Sequence, residues 1–387
     1  MINIRNLRYA ALITMLAALV AVFVGCSKPK EETTSTPAAA TAPTKAPASN
    51  EEYVAIGIST GVEYWNATKE GLKDVAAELG VKGTFDGPAG QHPEQQASLM
   101  DEIIARKPAG ILIAPGNPET LKPYINKAID AGIPVICIDT DAKDSKRIAY
   151  FGTSNYEAGC MGARILGKAI RTLKSGSADK AGSPGQYKVV ISSRPGQWNL
   201  DERERGYRET LKKEFPDIKV VQTIDDETSY STGQQKASAA LSANPDIAGF
   251  AGCNAASGVG LAAAVKAASK TGSIAIVAMD GDSGILDRIQ DGTITASVAQ
   301  RQYYMTYVGV KYLYGLVHGK FRAKGDTDPA KAALPEVPPI IDTGTVAVNK
   351  DNLATFRTPS QGAKEELATA HPEWVSLLAD KAGDTKK

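Results

Sequence analysis

The strongest constraint on this chain is a recurring pair: a short, wholly apolar run, then a stretch whose apolar residues return at helical spacing. Residues 53–59 (YVAIGIS) read as a strand, and across 65–79 apolar residues fall at Leu72, Val75, Ala76 and Leu79, one stripe of a helix. The same pattern predicts strands over 110–114, 133–139, 188–192, 218–224, 247–253 and 274–280, nearly all separated by helical segments. Runs such as ILIA and IPVICID show no polar alternation, so both strand faces must be covered, as in a parallel sheet between helical layers. The predicted class is doubly wound α/β. A chain of 387 residues is long enough for two such units, each with its own core.

In sheets of this kind ligands settle at the carboxyl ends of the strands, where loops converge and helix N-termini present free N–H groups. Four polar residues close apolar strands here: Asp139 after PVICI, Asn254 after FAGC, Asp280 after IVAM and Gln300 after ASVA. Each alone also fits a turn or helix cap. Together they offer a hydroxyl-rich ligand both donors and acceptors on a rigid scaffold.

Charge excludes some partners. With 44 Lys+Arg against 43 Asp+Glu, the formal net charge is +1, so no basic field draws the chain to nucleic acid. Three His and four Cys occur without CxxC or HExxH spacing, so no metal and no cofactor is expected. None of His92, His318 and His371 follows a predicted strand end, so the strand-end set holds no nucleophile paired with a base.

The first 25 residues differ from the rest. Arg5 and Arg8 precede an uncharged apolar run over 9–24, the pattern of an export signal, and the run is shorter than the ~20 residues a spanning helix needs. It ends in Phe23-Val24-Gly25-Cys26, which resembles a bacterial lipoprotein box with Cys26 as the lipidated residue; Phe23 departs from the usual Leu. The alternative is an uncleaved anchor helix, and either way the body lies outside the cytoplasm. Residues 27–50, with Pro29, Pro37, Pro43 and Pro47 among Ala, Thr, Ser and Lys, read as a flexible tether. Cys137, Cys160 and Cys253 remain, an odd number expected to be mostly buried free thiols, with a single disulfide as the alternative.

The order of these motifs resembles the periplasmic ribose-binding family, the type I sugar-binding proteins of ABC importers, over about residues 53–349. PVICID resembles the family segment whose terminal Asp, here Asp139, accepts from sugar hydroxyls, and ERERGY (202–207) sets Arg203 where the family has its sugar-binding Arg. Asn254 in FAGCN, Asp280 in AMDG and Gln300 in SVAQ fall on further sugar-contacting positions in the right order. The resemblance implies that Tyr64 and Trp65 stack on the apolar face of a sugar ring, against the alternative that Trp65 packs under the first helix. Trp198, just before the Arg203 motif, is a further aromatic candidate, and Tyr230 lies near another family contact with a loose local match.

Two family positions differ. Ribose binders carry an Asn before the aromatic pair and an Arg after the first strand-end Asp, where this chain has Val62-Glu63 and Thr140. Glu63 and Asp141 are therefore weaker ligand candidates, and the ligand is read as a monosaccharide or related polyol that is not named. The resemblance further implies two doubly wound parallel-sheet lobes of the type I periplasmic binding protein fold, joined by a three-segment hinge. The N-terminal lobe is expected over 51–153 plus 301–341, the C-terminal lobe over 154–300 plus 342–349. Its partners would be an ABC permease with its cytoplasmic ATPase and, through lipidated Cys26, a membrane; no nucleic acid is expected.

Three rivals share part of the pattern. Gly258-Val259-Gly260-Leu261-Ala262-Ala263 fits the G-x-G-x-x-A dinucleotide fingerprint, with Asp280 20 residues beyond Gly260, but residues 253–257 separate the strand from the first Gly. Sugar-responsive repressors have this two-lobed fold but carry an N-terminal helix-turn-helix, where this chain has an export signal. A sensor of a signalling molecule or nucleoside would keep both fold and site. Residues 350–387 form an expected C-terminal extension, with Leu353, Leu367, Trp374, Val375, Leu377 and Leu378 packing on the body or forming a docking surface.

Overall fold

The computed structural model describes residues 49–356. The export signal, Cys26, nearly all of the tether, and Leu367, Trp374, Val375, Leu377 and Leu378 lie outside the described residues. Among the described residues no helix is long and apolar enough to cross a membrane.

The chain builds one lobe, then a second, then returns to each. The first run is β1 (Glu52–Ile56), α1 (Asn66–Leu79), β2 (Lys82–Asp86), α2 (Pro93–Arg106), β3 (Gly110–Ile113), α3 (Pro118–Asp130), β4 (Val135–Ile138) and β5 (Ala149–Gly152). The second is α4 (Asn155–Ser175), β6 (Tyr187–Ser193), α5 (Trp198–Glu214), β7 (Ile218–Asp225), α6 (Tyr230–Ala243), β8 (Ile247–Gly252), α7 (Ala255–Ala267), β9 (Ala275–Met279), α8 (Ser283–Asp291) and β10 (Ala296–Gln300). Then α9 (Gln302–Val317), a small parallel pair β11 (Arg322–Ala323) and β12 (Glu336–Val337), and β13 (Ile340–Asp342) rejoin the first lobe, while β14 (Thr345–Val348) and α10 (Leu353–Phe356) rejoin the second.

The two six-stranded sheets have the same order, β13-β5-β4-β3-β1-β2 and β14-β10-β9-β8-β6-β7. The first is parallel throughout; in the second only β14 runs antiparallel, against β10. Strand order reverses at β1 and at β6, which opens a crevice beyond their carboxyl ends.

Strand periodicity explains the double covering. In β1, Tyr53 and Ala55 join α1 and α9 in one core, while Val54 and Ile56 join α2 and α3 in the other. The second lobe repeats the scheme: Val189 and Ile191 face α4 and α5, and Val190 faces α6 and α7. The edge strand β2 (KGTFD) is half exposed and lacks an apolar run, which is why periodicity alone does not reveal it.

Three crossings join the lobes: β5 to α4, β10 to α9, and β13 to β14. They are tied to one another. Thr153 Oγ1 donates to Gln300 Oε1 at 2.9 Å, Ser154 N to Asp342 Oδ1 at 3.0 Å, and Thr343 N to Gly152 O at 2.8 Å.

The glycine pattern at 258–263 finds a different use. Gly258 and Gly260 lie inside α7 rather than at a strand-to-helix turn. A Cβ on Gly260 would meet Tyr230 O at 2.8 Å, and one on Gly258 would meet Ala278 Cβ at 2.6 Å. They let α7 pack tightly on α6 and β9, which removes the structural basis of the dinucleotide reading. Cys137, Cys160 and Cys253 are buried free thiols.

Candidate functional site

Asp139 and Asp280 occupy equivalent places in the two lobes, one residue past β4 and β9. Each turns into the left-handed region, with φ of 62° and 72°, a conformation that Asp tolerates better than most residues but still at a cost. The neighbouring strand holds each of them. Asp139 N donates to Phe151 O at 3.0 Å, and Tyr150 Oη donates to Asp139 O at 2.8 Å. In the second lobe Asp280 N donates to Val298 O at 2.9 Å, and Ser297 Oγ donates to Asp280 O at 2.6 Å. Both carboxylates, buried beyond the ends of their strands, lie within electrostatic reach of one guanidinium, that of Arg203.

Between them lies Arg203, on the first turns of α5 and only 3% exposed. Its Nε donates to Asn155 Oδ1 and its Nη1 to Cys253 O, each at 2.9 Å, which fixes the plane of the guanidinium fork and uses two of its five N–H donors. Its position depends on small residues. A Cβ on Gly159 would lie 2.0 Å from Arg203 O, and one on Gly206 2.2 Å from Tyr156 O, so α4 and α5 approach backbone to backbone.

Burial pushes both aspartate carboxyls above their usual range, and Arg203 opposes that shift at each. Hydrogen bonds help hold the charge: Tyr64 Oη donates to Asp139 Oδ1 at 2.5 Å, and Gln300 Nε2 to Asp280 Oδ1 at 2.9 Å. Burial, with Asp139 next in weight, pushes the Tyr64 phenol well up, so it donates as a neutral hydroxyl. Gln300 thus links the hinge, through Thr153, to Asp280.

Asn254 caps α7, accepting from Ser257 N at 2.9 Å while its Nδ2 donates to Asp226 Oδ1 at 3.0 Å. Asp226 is fully buried and also accepts from Ser192 Oγ at 2.7 Å, from Thr228 N at 2.9 Å and from Ser257 Oγ. This carboxylate sets which way the Asn254 amide points. Sequence reading passed over Asp226 because β7 is an edge strand whose polar alternation hides its end, although a polar residue after a strand is the signal that found the other four.

Tyr64, Asp139, Arg203, Asp280 and Gln300 are thus brought into one interacting set, with Asn254 on the adjacent helix cap. The other candidates go elsewhere. Asp141 is paired with Arg147, whose Nη2 donates to Oδ2 at 2.7 Å, so its carboxylate is already occupied. Both oxygens of Glu63 accept from Ser283 of the other lobe, at 3.1 Å from N and 2.9 Å from Oγ. Trp65, 3% exposed, joins the first-lobe core against Phe85 and edge-on to Tyr64, as packing under the first helix requires. Trp198 opens α5 with 59% of its surface exposed, outside the buried set. Tyr230, also half exposed, has its phenol raised by burial first and then by Asp282 and Glu63.

Two carboxylates from opposite lobes, one guanidinium and two amides together offer the acceptors and donors that hydroxyl groups pair with. Charged groups form the stronger hydrogen bonds, and the shared countercharge limits what burial costs.

Known proteins have this architecture. The family profile described as "Periplasmic binding protein domain" matches residues 54–321. The D-allose-binding periplasmic protein of Escherichia coli (strain K12) is 26% identical over 270 residues, which is 68% of this chain and 83% of that protein. An arabinose binding protein from Geobacillus stearothermophilus is 31% identical with a TM-score of 0.70, covering 80% of this chain and 99% of that one. A sugar-binding protein of a sugar ABC transporter from Bacillus halodurans is 33% identical with a TM-score of 0.71, covering 79% of this chain and all of that one. The profile match spans well over half the chain and includes every strand-end residue of the site: this chain belongs to the periplasmic binding protein family.

Proposed function

We propose that this protein closes its two lobes around a monosaccharide or related polyol outside the cytoplasm and delivers it to an ABC importer, tethered through lipidated Cys26. One observation carries the reading: Asp139 and Asp280, clamped in matching left-handed turns of opposite lobes, converge on Arg203 in a site buried from solvent. A ligand bonded to both walls stabilises the closed form by contacts the open form lacks, the differential affinity that a hinge-closure signal requires. Allose, ribose and arabinose appear in the names of relatives, which supports a sugar as the ligand class.

The test is a thermal-shift screen of the full chain against pentoses, hexoses, polyols and nucleosides, with Asp280→Ala and Arg203→Ala alongside. Ligand at 100 times Kd adds about 2.7 kcal/mol of apparent stability, well above noise. A carbohydrate-specific shift lost in either variant supports the assignment; an undiminished shift in both sinks it. For the tether, radiolabelled palmitate should enter the wild type and not Cys26→Ser.

A further inference from the structure

We propose that Glu63 is an affinity-determining latch between the lobes and that it acts on closure without touching the ligand. The inference rests on the reading of this chain as a closing clamp. Glu63 opens a single 3-10 turn (Glu63–Trp65) between β1 and α1, in the first lobe, and Ser283 is the first residue of α8, in the second. Both carboxylate oxygens are engaged there, Oε1 by the backbone N–H and Oε2 by the hydroxyl. The hinge bonds lie at the crossings; this one joins residues that belong to none of the three crossing segments.

The chemistry suits a latch. The first N–H groups of a helix have no partner in their own turn, and the helix dipole favours an anion beside them. The first N–H of α8, that of Ser283, goes to Glu63, and Asp282 at the N-cap makes no side-chain bond to the helix. Behind the contact a groove runs between α1 and α8, lined by Asn66, Ala67 and Glu70 on one side and Leu286 and Asp287 on the other. Glu63 and Ser283 line the same groove, as does Tyr64, whose hydroxyl reaches Asp139. Each carboxylate oxygen is already held by a donor 220 positions away in sequence, which fixes the side chain across the lobes.

A latch and a ligand contact make different predictions. Ser283→Pro removes both donors while keeping a residue well suited to the first position of a helix, and Glu63→Ala and Glu63→Gln remove or neutralise the acceptor. Small-angle scattering on the full chain without sugar reads the closed fraction, and calorimetry with D-ribose, D-allose and D-arabinose reads Kd. We expect Glu63→Ala and Ser283→Pro each to lower the closed fraction and to raise Kd by about three- to tenfold, by one factor for every sugar that binds. Glu63→Gln should fall between, and the double variant should match the single ones. A loss that varies with the sugar, or additive losses, would make Glu63 a ligand contact and overturn the latch. An unchanged closed fraction in both single variants would overturn it even if none of the three sugars binds, whereas failure of the clamp reading shows separately, as absence of sugar binding by the wild type.

Discussion

Replacing Arg203 with Met keeps an unbranched apolar stem and removes the guanidinium, and with it the charge between two buried carboxylates. Three losses follow from the structure. Asn155 Oδ1 and Cys253 O each lose a donor at 2.9 Å, and a buried acceptor left unpaired costs about 1–3 kcal/mol. Asp139 and Asp280, whose carboxyls burial already raises, lose the cation that opposed that shift; breaking one side of a buried charge cluster costs roughly 3–5 kcal/mol in all. The ligand loses charge-assisted hydrogen bonds of about 1.5–3 kcal/mol each, so two of them correspond to a Kd raised roughly a hundred- to ten-thousandfold. Calorimetric unfolding of the sugar-free protein and titration of the sugar measure these separately. We expect a lowered Tm, a partial return of stability below neutrality as the aspartates protonate, and no measurable binding at ordinary concentrations. Arg203→Lys should restore the charge and part of the stability but not the planar fork, so affinity stays low. A variant that binds within threefold of wild type, with an unchanged Tm, would refute the idea that Arg203 unites the two walls.

Asp226→Asn should let the Asn254 amide reorient, raising Kd about tenfold and lowering stability by about 1–3 kcal/mol, checked by titration and calorimetry; unchanged affinity would show that Asp226 does not orient Asn254. Gly159→Ala places a Cβ where Arg203 O lies 2.0 Å away, so α4 and α5 must separate, at about 1–3 kcal/mol, with a matching loss of affinity as Arg203 shifts. Ligand affinity should also depend on pH. Burial, then Asp280 and Glu63, push the Asp282 carboxyl up to about 7 where Glu63 is bonded across to Ser283. Opening moves Glu63 away and exposes the group, returning it toward 3.8. Closure is therefore most favoured below the open-form value and loses that advantage as pH rises through about 7. Between pH 8 and 6 the affinity should rise roughly threefold after discounting for partial exposure, with proton uptake visible as a buffer-dependent binding enthalpy. Proton release on binding would reverse the sign and defeat the assignment.

Much of the fold was legible because parallel strands buried on both faces must be apolar at every position. GILIA and IPVICID carry that requirement openly, and the helices between them show their stripes. Edge strands escape the rule: β2 and β7 face solvent, so their composition is mixed, and Asp226 at the end of β7 went unnoticed for the same reason. At the candidate site, residue type and position at the ends of apolar strands pointed to Asp139, Asn254, Asp280 and Gln300, which the fold gathers into one neighbourhood. Geometry separated Tyr64, which reaches Asp139, from Trp65, which fills the core beside it. It also gave Asp141 to Arg147 and Glu63 to Ser283.

The division has a physical basis. Local sequence carries propensity, periodicity and the chemistry of each strand end, so the chain alone determines two wound α/β lobes and a crevice rich in hydrogen-bonding groups. Partners far apart in sequence are chosen by close packing and by the need to satisfy every buried charge. The left-handed clamps on Asp139 and Asp280, the glycine contact that seats Arg203, and the reach of Glu63 across the cleft are decided only when the two sheets and their helices stand in place.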